Sequence, residues 1–171
     1  MFVEGYLFSL NRWYMRDKTP LSFEKDLLLF SSELELLKID NCKMNKLIID
    51  AAKKNIFFMI VTKDTKYSIT HENTKVNFEK MIILINDFLK SKNLNLGDVS
   101  IIYVNRGPGS FAGIRNSLST IKAIHLTMKI DYYCYSFQDF QGGEKIKYEN
   151  IPNLCDKFGV KKNLINPIYI S

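Results

Sequence analysis

The stretch from Val99 to Arg115 constrains this chain more than any other. An apolar run, Val99 to Val104, leads directly into Arg106-Gly107-Pro108-Gly109-Ser110-Phe111-Ala112-Gly113-Ile114-Arg115, and a helical pattern then continues to about Met128. A buried strand, a tight turn and a helix are predicted. A second β-rich run, Tyr132 to Phe137, completes a crossover of the kind that joins parallel strands in the right-handed sense. Upstream lie three short β-rich runs, Lys46 to Asp50, Ile56 to Thr62 and Lys66 to Thr70, with Lys63-Asp64-Thr65 as a turn. A helix is expected from about Asn77 to Ser91. Three meander strands followed by helix, strand, helix, strand predict an α/β lobe with a mixed sheet. After Gln138 the pattern weakens to Gly142-Gly143, a polar stretch, a short helix around Asn153 to Phe158, and a Pro167-Ile168-Tyr169 tail.

A glycine-rich turn that opens a helix often holds phosphate at the helix N-terminus. Here the spacing is Gly-x-Gly-x-x-x-Gly, one residue longer than a dinucleotide fingerprint. No Gly-Lys-Ser/Thr supplies the lysine and hydroxyl of a P-loop. The competing reading is a tight strand-to-helix turn: Gly107 and Gly109 free to take positive φ, Pro108 rigid between them, and Ser110 capping the helix. Gly113 costs its helix about 1 kcal/mol relative to Ala, which points to close backbone approach. No cofactor motif is present.

With 171 residues, 46% hydrophobic and 25% charged, the chain has the composition of an ordinary globular protein. The net charge of +6 admits a nucleic-acid surface. Lysine is dispersed, however, and no RNA-binding motif accompanies it, so contact with tRNA is expected to be indirect. Cys42, Cys134 and Cys155 form an odd, widely spaced set without a Cys-x-x-Cys pair, which fits a reducing cytoplasm. No apolar run approaches the roughly 20 residues needed to cross a bilayer. Neither His71 nor His125 has a second histidine four positions away, and no metal set is read from them.

The first 43 residues allow two readings. Thr19-Pro20 can begin a helix whose Phe23, Leu27, Phe30, Leu34 and Leu37 share one face. Alternatively, Met44 is the authentic start and residues 1–43 are an overextended reading frame. Residues 44–137 are read as the lobe, and 138–171 as a short C-terminal remnant.

The segment Arg106 to Arg115 resembles the Gly-Arg-Gly-Pro-Gly-Ser-Phe-Thr-Gly-Leu/Val-Arg segment of the TsaB family, differing at Asn105 and Ala112. Lys46-Leu47-Ile48-Ile49-Asp50 is similar to that family's first strand, with Ala51-Ala52 in place of hydroxyl residues. Pro167-Ile168-Tyr169 is similar to its Pro-x-Tyr close. The resemblance implies a single ribonuclease-H-like lobe of the actin and Hsp70 ATPase superfamily. It also implies a non-catalytic subunit that binds the TsaD transferase in making threonylcarbamoyladenosine on tRNA, with a TsaE-like ATPase in the same machinery. Only 34 residues follow Phe137, so a second lobe and a two-lobed nucleotide cleft are not expected of this chain alone. Two other readings stay open: a phosphate-binding ATPase or peptidase-like enzyme, and a self-associating homodimer.

The helix pair carries the partner expectation. Counted from Phe78, Met81, Ile82, Ile85, Phe88 and Leu89 fall within about 80° of it, while Ile83 and Leu84 lie outside that stripe. On the next helix Phe111, Ile114, Leu118, Ile121, Ile124 and Met128 make a core stripe. Gly113, Ser117 and Thr120 offer a small-residue surface for a second helix. Met81, Ile83, Leu84, Gly113, Ser117 and Thr120 are therefore the expected partner-binding set, since a contiguous apolar patch commonly marks an interaction site. The family docks TsaD on these two helices, as the resemblance implies. The alternative is that another part of the chain covers the patch.

Overall fold

The structure, a computed structural model, describes residues 45–140 and 146–169. The expected Phe23 to Leu37 helix, Met44 and Gly142-Gly143 lie outside them.

Five strands form one mixed sheet in the order β3-β2-β1-β4-β5. β1 (Asn45–Asp50), β2 (Asn55–Val61) and β3 (Lys66–Glu72) make the antiparallel meander. The turn between β2 and β3 closes where Thr62 and Thr65 exchange backbone and side-chain hydrogen bonds. β4 (Val99–Asn105) runs parallel to β1, and β5 (Asp131–Tyr135) runs parallel to β4. α1 (Lys75–Glu79) and α2 (Met81–Lys90) connect β3 to β4, and α3 (Phe111–Met128) connects β4 to β5. α4 (Ile151–Lys157) carries Pro in its first turn, where the missing N–H costs nothing. Among the described residues, no helix is long and apolar enough to cross a membrane.

Strand alternation builds two cores. Leu47 and Ile49 of β1, Ile56, Phe58 and Ile60 of β2, and Ile102 and Val104 of β4 point to the side of α1, α2 and α3. Ile48, Tyr103 and Tyr135 point to the other side, where Phe140 and, from α4, Ile151 and Cys155 cover them. The chain after Gln138 is thus a packed layer over the second sheet face.

One expected helix is two. The chain breaks at Lys80, whose φ of −97° and ψ of 13° end α1 and begin α2. Neither Gly nor Pro marks the break in the sequence. Its consequence is a change of phase: α2 buries Met81, Ile85, Phe88 and Leu89, a stripe centred between Met81 and Ile85 rather than on the projection from Phe78. Ile82, expected in the core, is turned to the edge and is exposed. Phe111 and Met128 are also exposed, because they stand at the two ends of α3, beyond the sheet that Ile114, Leu118, Ile121 and Ile124 cover.

Candidate functional site: the glycine turn and its supports

The end of β1 and the end of β4 lie side by side, and the turn from Arg106 to Ser110 is folded onto them. Gly107 has φ of +108°, the expected left-handed conformation, and is joined to Pro108 by a cis peptide bond. Gly109 does not adopt positive φ. It is glycine because a Cβ there would stand 2.0 Å from the Ala52 carbonyl oxygen. Ser110 N donates to that same oxygen at 2.7 Å. The Ser110 hydroxyl accepts from Gly113 N at 3.3 Å, the predicted N-cap. At Gly113 a Cβ would meet the Ala51 carbonyl oxygen at 1.9 Å and the Phe78 ring at 3.2 Å. The close approach inferred from this glycine is real, but it is made to β1's end and to α1 within the chain.

Asn105, where the sequence departs from the TsaB-like pattern, ties the two strand ends together. Its Nδ2 donates to Asp50 Oδ1 at 3.0 Å, and its Oδ1 accepts from Gly107 N at 2.9 Å. A glycine there could do neither. Asp50 is wholly buried. It also accepts from Ala52 N at 3.1 Å and from the Tyr148 hydroxyl at 2.5 Å, with Lys53 Nζ 3.7 Å away. Lys53 Nζ lies 4.1 Å above the Phe137 ring, a cation–π contact. Every polar partner of this carboxylate comes from a different turn. No spacing rule links Asp50, Asn105 and Tyr148, and the sequence alone does not bring them together.

Arg106 faces away from this cluster. Its guanidinium pairs with Asp139 in a two-pronged contact of 2.6 and 3.4 Å and donates to the Asn166 carbonyl at 3.0 Å. Its backbone continues the sheet, donating to Tyr135 O and accepting from Ile168 N, both at 2.8 Å. The turn thus holds the Pro167-Ile168-Tyr169 tail, and Phe111 packs on Tyr169 with ring centroids 4.9 Å apart. Arg115 is exposed on α3.

The expected partner-binding residues divide. Ile83 is 52% exposed and Val76, not singled out from the sequence, 54%. Leu84 and Thr120 are half-buried, with Leu84 against the core. Met81, Gly113 and Ser117 are buried and meet nothing outside the chain. The correction has one cause: the small-residue surface of α3 is occupied by α1 and the Ala51 backbone, and the Lys80 break turns Met81 inward. The histidines are apart. His71 lies on β3 against Phe58, and His125 on α3 hydrogen-bonds the Ile130 carbonyl through Nδ1 at 3.0 Å.

Comparison with known proteins gives three consistent matches. The family model described as TsaD, tRNA N6-adenosine threonylcarbamoyltransferase, matches residues 72–136. The tRNA threonylcarbamoyladenosine biosynthesis protein TsaB of Buchnera aphidicola subsp. Baizongia pistaciae is 30% identical over 38% of this chain and 34% of its own. Its namesake in Buchnera aphidicola subsp. Schizaphis graminum is 26% identical over 51% and 41%. The chain therefore spans less than half the length of these curated relatives. Among solved structures, YeaZ from Pseudomonas aeruginosa superposes with a TM-score of 0.50 at 17% identity, over 54% of this chain and 43% of that one. The fold is the ribonuclease-H-like lobe expected from the sequence.

Proposed function

We propose, from the kinship of this chain with the TsaB proteins, that it is a non-catalytic subunit of a tRNA threonylcarbamoyladenosine machinery and works by binding a TsaD-like transferase. The observation that supports this reading most is the state of the glycine turn. Its glycines are filled by the backbone of Ala51, Ala52 and Ile168, and its arginine is committed to Asp139 and Asn166. Such a turn acts as a brace for α3 rather than as a cradle for phosphate. In this reading residues 44–137 are the functional lobe, residues 138–171 brace its second face, and any TsaE-like ATPase acts within the larger complex. tRNA is reached through the transferase.

The partner surface in this reading is the outer side of α1 and α2, centred on Val76 and Ile83. Both are exposed apolar side chains, and central interface positions of this kind commonly contribute about 2 kcal/mol or more. Ile83→Asp should weaken binding to the TsaD-like transferase of the same organism by roughly 30-fold. Titration by calorimetry reads this directly. Unchanged affinity, with the variant folded, would remove the helix surface from the proposal. A saturable micromolar nucleotide site in the isolated chain would instead favour the enzyme reading.

A further inference from the structure

The two edges of the sheet are treated differently. Along β5, Asn163 takes over the free backbone: its N donates to Tyr132 O at 2.8 Å and its Oδ1 accepts from Tyr132 N at 3.0 Å, with a bridge between Tyr133 and Lys162 beside them. β3, at the opposite edge, has no such cover among the described residues. It is seven residues long, exposed at all but His71, and pairs with β2 in unbroken register. It contains no proline, no bulge and no inward-pointing charge, the devices by which edge strands usually avoid pairing.

We propose that β3 pairs antiparallel with β3 of a second copy of this chain, centred on Ile69. This goes beyond the partner reading above and uses a different surface. The register follows from geometry. A twofold axis perpendicular to the sheet keeps each face on its own side, so opposed residues must share a face and the centre must fall on a residue. Centres at Ser68 or Thr70 leave one end of the strand unpaired. Only a centre at Ile69 pairs the whole of Lys66–Glu72. That register sets Lys66 opposite Glu72 of the second copy, twice by symmetry, on the face where Lys66 already meets Glu149 at 3.0 Å. On the helix face it sets Ile69 against its own copy and Tyr67 opposite His71. Ile69 and Tyr67 are 37% and 38% exposed, and the buried His71 Nε2 has no hydrogen-bond partner. Self-complementary patches of this kind are what a twofold interface requires, and opposed unlike charges favour it.

The test is sedimentation of the full chain at concentrations up to roughly 100 μM. A concentration-dependent dimer is expected. Lys66→Glu and Glu72→Lys each place like charges opposite one another twice and should weaken it about tenfold, while the double variant should restore it. Ile69→Cys should cross-link under mild oxidation beyond the level of the unsubstituted chain, because directly opposed residues fall within disulfide reach. Ile83→Asp should leave the dimer intact. A chain that stays monomeric overturns the proposal. So does a dimer indifferent to both single charge reversals and to Ile69→Cys, or one dissolved by Ile83→Asp alone, which would place self-association on the helices.

Discussion

The Tyr148 hydroxyl donates a 2.5 Å hydrogen bond to Asp50 Oδ2 across 98 residues of sequence. Asp50 is fully buried at the end of β1, and a buried carboxylate is tolerated only when its oxygens are satisfied. Tyr148 also stacks on Phe57, ring centroids 4.2 Å apart. It is therefore the clamp that holds the layer after Gln138 to the first strand. Tyr148→Phe keeps the stacking and removes one bond to a charged group. A loss of about 1–3 kcal/mol in urea unfolding is expected. Unaltered stability would mean that Lys53 alone satisfies that oxygen.

Gly113→Ala separates two opposing effects. Helix propensity favours alanine by about 1 kcal/mol. The new methyl would stand 1.9 Å from the Ala51 carbonyl oxygen, and forcing backbone apart costs typically about 1–3 kcal/mol or more. The clash outweighs the gain in propensity, so the variant should melt lower. A rise in Tm would show that α3 can move off β1 at no cost.

On α2, neighbouring isoleucines should respond oppositely. Ile85 is fully buried, so Ile85→Ala should cost about 2–5 kcal/mol through the cavity it leaves. Ile83→Asp should stay within about 0.5 kcal/mol of the parent, as exposed substitutions do. Phe111→Ala and Ile82→Ala belong with the exposed group. If chemical denaturation shows Ile83→Asp to be the damaging change, the helix phase described for α2 is wrong.

Burial pushes the Cys134 and Cys155 thiols up to about 12. Unfolded thiols release their protons near pH 8.5. Above that pH the unfolded chain binds fewer protons than the native one, so stability is full below it and falls as pH rises toward 12. The slope is about 1.4 kcal/mol per pH unit for each thiol. Tyr103, Tyr135 and Tyr148 are also held above the ordinary tyrosine range by burial and act in the same direction. Urea unfolding at pH 8 and pH 10 should show the fall, and Cys155→Ala should make it shallower. Equal stability at the two pH values would contradict it.

By itself the sequence determined what local pattern can determine. Period-two alternation placed the strands, the strand–glycine–helix order set the β4–α3–β5 crossover, and the Ser110 cap and Gly107 conformation followed from the chemistry of single residues. What only the tertiary structure decided are the choices that depend on distant neighbours. The break at Lys80 has no breaker residue, and it moved Ile82 outward and Met81 inward. Gly109 and Gly113 answer to the carbonyls of Ala51 and Ala52, about 60 residues away in the chain. Asp50, Asn105 and Tyr148 are joined because a parallel pairing of β1 with β4 and a returning 3-10 turn bring their side chains to one point. Periodicity records which way a residue faces its own helix or strand; it carries no record of which backbone lies on the other side.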